Sequence, residues 1–299
     1  MHSPVGVRAA CIDIGSNTTR LLVADCVDGV LLEVHQERAF TRIGQGLAGR
    51  GVIGADKIEE VVAVVLGQIA VARDHGAQEI RGVATAAIRT ALNGSVLVQA
   101  IAAGTGLEVE IVSGEDEARL AFRGAAAMLE PATAARCRRL GVIDVGGGSS
   151  EVVVGAAPDR VDWWASVPIG SGALTDHCLH TDPPSPAELD IGRHEVATAL
   201  AGLAPPSPEV VVAVGGSATS LGRVAGAVLD AAGCERALAV LAGAPAGAVA
   251  ERFLIDPQRA RLMPAGLLIL QGAARLLEAT IQVGRGGIRE GVLLEALRA

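Results

Sequence analysis

Asp144-Val145-Gly146-Gly147-Gly148-Ser149-Ser150-Glu151 is the stretch on which the reading of this chain turns. It lies between two β-branched apolar runs, Leu140 to Ile143 and Val152 to Val154, which marks it as a tight hairpin. Three consecutive glycines let the backbone reach φ > 0 and bring its N–H groups to a ligand with no Cβ in the way. Successive exposed N–H groups form a concavity for anions. Ser149 and Ser150 add hydroxyls, and Asp144 and Glu151 set a carboxylate at each end. The pattern suits phosphate oxygens, a hard cation and a water. A plain glycine hairpin with polar ends is the alternative.

The same layout occurs once more, in Ile12-Asp13-Ile14-Gly15-Ser16-Asn17-Thr18-Thr19. Each octet is an apolar strand end, then Asp, an aliphatic residue, Gly, two small or polar residues and a pair of hydroxyls. One such octet is within the reach of chance in an Ala/Gly/Val-rich chain. Two of them, each at the first strand of a half, predict two similarly folded α/β halves facing each other across a cleft, where ligands of α/β proteins sit. Two glycine hairpins aimed into that cleft would cradle phosphates from opposite sides. Asp13 and Asp144 would then face each other, as hard oxygen ligands suited to Mg²⁺. For Asp13 an Asx-turn capping its own hairpin is the competing explanation.

Gly215-Gly216-Ser217, between a strand and a helix, is a third candidate anion site, because helix N-termini present free N–H groups. Such junctions also occur for close packing alone. Arg20 and Arg89 follow strand-turns of the first half and are the candidate cationic partners of a polyanion. Each could equally be a solvated surface residue. Glu115, Asp116 and Glu117 open a helix, where the dipole favours acids. One of them could instead point into the cleft as a general base for water. Periodicity does not choose among the three.

Composition narrows the classes. The chain has 299 residues, 50% hydrophobic, with mean hydropathy +0.43, enough for a large core and for two domains. Aromatic residues are 2% and Tyr is absent, so the core must be built from Val, Ile, Leu and Ala. Lys57 is the only lysine, which excludes a Schiff-base lysine or a phosphate-loop lysine at the candidate loops. A net charge of −8 argues against nucleic acid and acidic membrane surfaces as general partners. The 5 cysteines are scattered without CxxC spacing and read as reduced thiols. With no secretory leader and no membrane-length apolar run, the expectation is a cytoplasmic protein with no membrane partner.

Along the chain, strands are predicted at residues 7–14, 18–26 and 30–39, with a hairpin turn at Asp28-Gly29. A helix capped by Asp56 follows to about Asp74, then a strand at 79–84, a helix at 95–103, a strand at 107–112 and the helix of Glu117. The second half offers strands at 151–155 and 161–167, a helix from Pro186, a strand at 209–214 and a helix from about Ser217. Ala/Leu-rich helices are expected over 225–253, with long ones over 264–282 and 289–297.

Together, Asp13 to Asn17, Ser113-Gly114-Glu115-Asp116-Glu117-Ala118, Asp144 to Glu151 and Gly215-Gly216-Ser217 resemble the exopolyphosphatase / guanosine pentaphosphate phosphohydrolase family. Arg42 to Leu47, Ala84 to Arg89 and the closing Arg289-Glu290-Gly291 support this, and the resemblance runs from about residue 10 to the end. It implies two RNase H-like domains of the actin, sugar kinase and Hsp70 superfamily flanking a cleft. The first would be residues 1–120 plus 284–299 and the second 121–283.

It also implies Mg²⁺-dependent hydrolysis of the terminal phosphoanhydride of inorganic polyphosphate or of guanosine pentaphosphate, often by a homodimer. By the same resemblance Glu117 is the catalytic carboxylate, Glu151 the second essential glutamate, and Asp144 the metal-associated aspartate. Gly15, Ser16, Asn17, Thr18 and Arg20, with Gly146 to Ser150, Gly215 to Ser217 and Arg89, would bind phosphate. Asp13, Asp144 and Glu151 would hold the metal. Ser217 stands where the family has Thr and Asp116 where it often has Glu. The chain has the length of the short members that lack a C-terminal HD-like domain. A small-molecule kinase on this fold would need an acceptor domain, of which the compact second half shows none. A non-hydrolytic nucleotide or polyphosphate sensor would not need the pair Glu117 and Glu151.

Overall fold

The computed structural model describes residues 7–27, 29–47 and 51–297. In the first half, β1 (Val7–Ile14), β2 (Thr19–Val27) and β3 (Val30–Ala39) form an antiparallel meander. A 3₁₀ turn (Ile43–Gly46), α1 (Ala55–Asp74), β4 (Glu79–Ala84), α2 (Ala86–Thr90), α3 (Gly94–Thr105), β5 (Val109–Ile111) and α4 (Gly114–Ala127) follow. After α5 (Pro131–Ala134) the pattern restarts with β6 (Leu140–Val145), β7 (Ser150–Ala156) and β8 (Arg160–Val167). Then come α6 (Ser171–Cys178), α7 (Pro186–Leu200), β9 (Val210–Val214), α8 (Gly215–Ala225) and β10 (Val228–Leu229). The chain closes with α9 (Ala231–Ala242), α10 (Ala246–Phe253), α11 (Pro257–Leu276), β11 (Ile281–Val283) and α12 (Ile288–Ala296).

The two sheets share one plan. The first runs β3-β2-β1-β4-β5 and the second β10-β11-β9-β6-β7-β8. In each, a three-strand meander is extended by parallel strands beside its first strand, β4 next to β1 and β9 next to β6. The repeat read from the two octets is therefore a repeat of whole sheets. Ile12, Ile14, Val61, Val65, Leu97 and Ile101 fill the layer between the first sheet and α1 and α3. Ile143, Val152, Leu221, Leu267, Leu268 and Leu270 do so between the second sheet and its helices.

The inner faces of the sheets are covered by two helices. Phe122, Ala118 and Ala125 of α4 pack on Val142, Val153 and Val212 of the second sheet. Leu293, Ile288 and Val292 of α12 pack on Cys11, Leu22 and Ala24 of the first, joined by Leu120 of α4. Full burial of Phe122 contributes about 2 to 3 kcal/mol. The helices cross in close contact: a Cβ on Gly291 would overlap the Leu120 carbonyl oxygen, and one on Gly124 would overlap Gly287. The division expected between residues 120 and 121 falls inside α4, whose hydrogen-bond ladder makes it one rigid piece.

Several local expectations are corrected. Gly54, not Asp56, is the N-cap of α1, and Asp56 lies in its first turn without a side-chain cap bond. Asp28 lies outside the described residues. α8 begins at Gly215, two residues before Ser217, on a positive φ of 80°. α11 begins at Pro257 and encloses Pro264. Asp256 accepts from the amides of Gln258 (2.8 Å) and Arg259 (3.3 Å), and proline at N1 strengthens this start. The interior Pro264, which costs about 3 kcal/mol in an isolated helix, is held by burial on every side of the segment. Residues 281–283 and 228–229 are strands, too short for any alternation to show in the sequence.

Gly291→Ala should lower stability by about 2 to 3 kcal/mol in urea unfolding, because helix backbones must separate to admit the methyl group. An unchanged urea midpoint would remove the α4–α12 crossing from its structural role.

Candidate active site

The two octets close in the same way. The Gly15 amide donates to the Thr18 carbonyl at 3.0 Å, and the Gly146 amide to the Ser149 carbonyl at 3.0 Å. Across each hairpin the register pairs Asp13 with Arg20 and Asp144 with Glu151. The repeat thus carries opposite charges at one equivalent position, a cation in the first loop and an acid in the second.

Neighbouring segments brace both loops. Arg42 and Gly44 donate their amides to the carbonyls of Asn17 (3.0 Å) and Ser16 (2.8 Å). The amides of Ser171, Gly172 and Ala173 at the start of α6 donate to the Gly146 and Gly147 carbonyls at 2.9, 3.0 and 2.9 Å. The loops also touch each other. A Cβ on Gly147 would lie 2.7 Å from Asn17 Cγ, and one on Gly148 would lie 2.6 Å from Ser16 Oγ. Glycine is required here by close approach of one loop to the other, so the cleft between the halves is closed over its floor.

A cavity of about 80 Å³ remains between them. Asp13, Gly15, Ser16, Asn17, Thr18 and Arg20 line it from the first loop, and Asp144, Gly146, Gly147, Gly148, Ser149 and Glu151 from the second. Glu117, Gly215 and Gly216 complete the expected set. Ser150, Ser217 and Arg89 are absent from the lining. The Ser150 hydroxyl donates to the Ile169 carbonyl at 2.6 Å, and the Ser217 hydroxyl to the Val145 carbonyl at 3.0 Å. With its proton committed, each hydroxyl secures the loop. Arg89 Nη1 donates to Glu117 Oε2 at 2.8 Å and to the Val112 carbonyl at 2.9 Å.

The three acids at the start of α4 separate cleanly. The Ser113 hydroxyl accepts from the Asp116 amide at 3.0 Å and donates to Asp116 Oδ2 at 2.7 Å, so Asp116 belongs to the cap. Glu115 is exposed, and Glu117 is buried and lines the cavity. Burial raises the Glu117 carboxyl to about 7 against the pull of Arg89. Burial likewise raises Asp144 to about 6, raises Asp13, and pushes Glu151 well above the usual carboxylate range. Glu151 accepts from the Ser166 hydroxyl at 2.8 Å.

Four polar or charged lining residues were not among those expected: Thr85, Arg259, Arg289 and Glu290. Arg289 and Glu290 lie in the closing motif at the start of α12, a signal read only as supporting. Arg259, in the first turn of α11, has no local signal at all. Its guanidinium lies against Gly216 and over Phe40, 5.9 Å from the ring centroid. Burial lowers Arg259 to about 9, and the neighbouring Arg289 lowers Arg20 to about 10. Buried cations crowded in this way are ready for an anion.

Asp13 Oδ1 is buried and has no hydrogen-bond partner among the described residues. Among the described residues no three His, Cys, Asp or Glu side chains are gathered as a metal cluster, so the expected trio of Asp13, Asp144 and Glu151 is not preassembled. Asp13 and Asp144 do sit within electrostatic reach of each other.

Two sheets of one plan, joined by a pair of glycine-turn anion cradles with a buried glutamate above them, define a phosphate-processing enzyme of the two-lobed α/β class. The chain belongs to the Ppx/GppA phosphatase family, whose model matches residues 22–299. It is 30% identical to exopolyphosphatase 2 of Mycobacterium tuberculosis over 97% of each chain. It is 28% identical to exopolyphosphatase 1 of the same organism over 97% of this chain and 88% of that one. A crystal structure of the Aquifex aeolicus family member superposes with a TM-score of 0.78 at 28% identity, covering 98% of both chains. A guanosine-5'-triphosphate,3'-diphosphate pyrophosphatase of Vibrio atlanticus is 28% identical over 49% of this chain and 28% of its own length. Among the described residues no helix is long and apolar enough to cross a membrane.

Because folding raises the Asp144 and Glu117 values, the folded state binds protons more tightly than the unfolded chain. Stability is then fullest below the unfolded values of 3.8 and 4.5 and falls as pH rises through about 6 and about 7. In chelator-treated protein the thermal midpoint should drop between about pH 4 and about pH 8, and Asp144→Asn should shrink that drop. A midpoint that climbs across this range would show that burial does not govern these carboxyls.

Proposed function

We propose that the protein is an exopolyphosphatase, releasing Pi from the end of inorganic polyphosphate by attack of water on the terminal phosphorus. The observation that carries this reading is the position of Glu117. It is buried, held by Arg89 at 2.8 Å, and faces a cavity whose floor is two glycine loops. The two relatives named as exopolyphosphatases cover nearly the whole chain, which supports the same substrate.

The amides of Gly147 and Gly148 and the hydroxyls of Ser16, Thr18 and Ser149 bind the terminal phosphoryl oxygens, while the Gly15 and Gly146 amides close the two turns on the Thr18 and Ser149 carbonyls. Glu117 accepts a proton from the water as its oxygen bonds to phosphorus, and the bridging P–O bond breaks. The freed chain end leaves as an anion, met by Arg20 and Arg289. Positioning and electrostatics carry most of the barrier reduction in such a transfer. Arg89 acts as a positioning residue, keeping Glu117 ionised and aimed. Glu151, oriented by Ser166, assists in placing the water.

The residues fit Mg²⁺. Asp13 offers a buried oxygen lacking any other partner and Asp144 a second carboxylate, leaving room for the water and phosphate oxygens that Mg²⁺ retains. When bound, the ion neutralises phosphate charge. We place the enzyme in the cytoplasm, in keeping with five free thiols, three of them buried.

Glu117→Ala should lower kcat for Pi release by about a thousandfold with the fold retained. In the wild type, kcat/KM should rise with pH through about 7, because Glu117 acts as its carboxylate. Arg89→Ala should move that limb to higher pH, since removing the cation raises Glu117 further. A limb that stays in place would exclude Arg89 from positioning Glu117. Guanosine pentaphosphate, compared at equal enzyme, decides the competing substrate: a larger kcat/KM for it than for polyphosphate would overturn the assignment. Mg²⁺ should raise the thermal midpoint, and Asp13→Asn should abolish the gain.

A further inference from the structure

Asn17 also lines a cavity apart from the central one. This neighbour has a volume of about 500 Å³ and lies where the 3₁₀ turn of the first half packs against α6 of the second. Phe40 and Arg42 reach it from the segment after β3, Asp176 from α6, His180 from the loop behind α6, and Arg261 from α11. Both halves therefore bring charge to it. Arg42 stands there on a left-handed backbone, with φ 47°, a conformation that few residues with a side chain adopt.

Among the described residues Asp176 is the only acid lining this cavity. Burial raises its carboxyl, while Arg261, Arg42 and His180 pull it down, so three basic side chains stand within electrostatic reach of one acid. Neither Arg42 nor Arg261 has an ion-pair partner among the described residues. Arg261 Nη2 donates to the Leu179 carbonyl, but its Nη1 is buried with no hydrogen-bond partner among the described residues, and so is Asn17 Nδ2. Burying a donor unpaired is costly, so each calls for an acceptor. Water would satisfy the donors and leave two guanidinium charges unbalanced, whereas an oxyanion answers both needs.

We propose that this cavity is a second, non-catalytic site for a phosphate dianion, free or at the head of a small phosphomonoester, held between Arg42 and Arg261. Paired guanidiniums suit phosphate oxygens, and the volume exceeds what a bare phosphate fills. Phe40, Leu179 and Leu262 give the remaining space an apolar wall. With a single carboxylate in its lining the site binds and does not hydrolyse. Its occupant bridges the two halves, because Arg42 belongs to one and Arg261 to the other, and so clamps the 3₁₀ turn that braces Ser16 and Asn17 onto α6. The site stands whether or not the central cavity is that of a hydrolase.

The test is calorimetric titration of chelator-treated protein with orthophosphate and with glycerol 3-phosphate at about pH 8, where the ionised acids of the central cavity repel an anion. Arg42→Gln with Arg261→Gln should lower the affinity of the tighter ligand by about tenfold or more, the worth of a charge-assisted contact. Arg42→Gln alone, at an exposed position, should lose part of it, which covers a double variant weakened by loss of the bond to the Leu179 carbonyl. Ser149→Ala in the central cavity and Arg160→Gln on β8 should bind as the wild type does. The same ligand should raise the thermal midpoint of the wild type and not that of the double variant. Tighter glycerol 3-phosphate would assign the site to a phosphomonoester, and tighter orthophosphate to free phosphate; either upholds it. A wild type that takes up neither ligand, a double variant that binds both unchanged, or an equal loss in Ser149→Ala would overturn the site.

Discussion

The site depends on contact between two backbone turns. Asn17 sits against Gly147 and Gly172, and Ser16 against Gly148, at distances that leave no space for a Cβ. That contact removes water from the carboxylates around it, and the raised values of Glu117, Asp144, Asp13 and Glu151 follow from this burial before any neighbouring charge is considered. Glu117, raised to about 7 by burial, lines the cavity that these two loops enclose. The octet from Asp144 to Glu151 is half of a cradle, and its partner completes both the amides and the low-dielectric surroundings.

The repeat is symmetric in backbone and asymmetric in charge. Arg20 and Glu151 occupy equivalent places beside Asp13 and Asp144. One lobe therefore presents a cation where the other presents an acid. The crowding of Arg20, Arg259 and Arg289 extends that polarity. Mutual repulsion lowers the affinity of Arg20 for its own proton, an arrangement that favours an incoming anion. The helices α4 and α12 keep the polarity aligned. One carries Glu117 from the second sheet's face, the other carries Arg289 from the first's, and glycines at their crossing hold them together.

The amino-acid sequence alone determined the two turns, their shared layout and the strands that carry them. Those features are local: a β-branched run, a glycine turn and a second run are readable wherever they fall. The start of α7 at Pro186 was legible for the same reason, as was the three-strand meander of each half. Short strands such as residues 281–283 were not, because three residues carry no period and their pairing partner lies far along the chain. The start expected for α11 at residue 264 falls after the observed one at Pro257, where Asp256-Pro257 is the stronger local signal.

Tertiary structure alone decided which polar groups face the cavity. Glu115, Asp116 and Glu117 are alike in type and adjacent in the chain. The packing of Phe122 and Ala118 against the second sheet and of Leu120 against the first sets the phase of α4 that caps with Asp116, exposes Glu115 and turns Glu117 inward. Ser149 and Ser150 likewise differ: the turn leaves Ser149 on the cavity, and Ser150, the first residue of β7, donates to the Ile169 carbonyl. Arg259 reaches the site from a helix far along the chain, by a proximity that no local pattern encodes. Local chemistry names the candidates; helix phase, strand facing and long-range approach select among them.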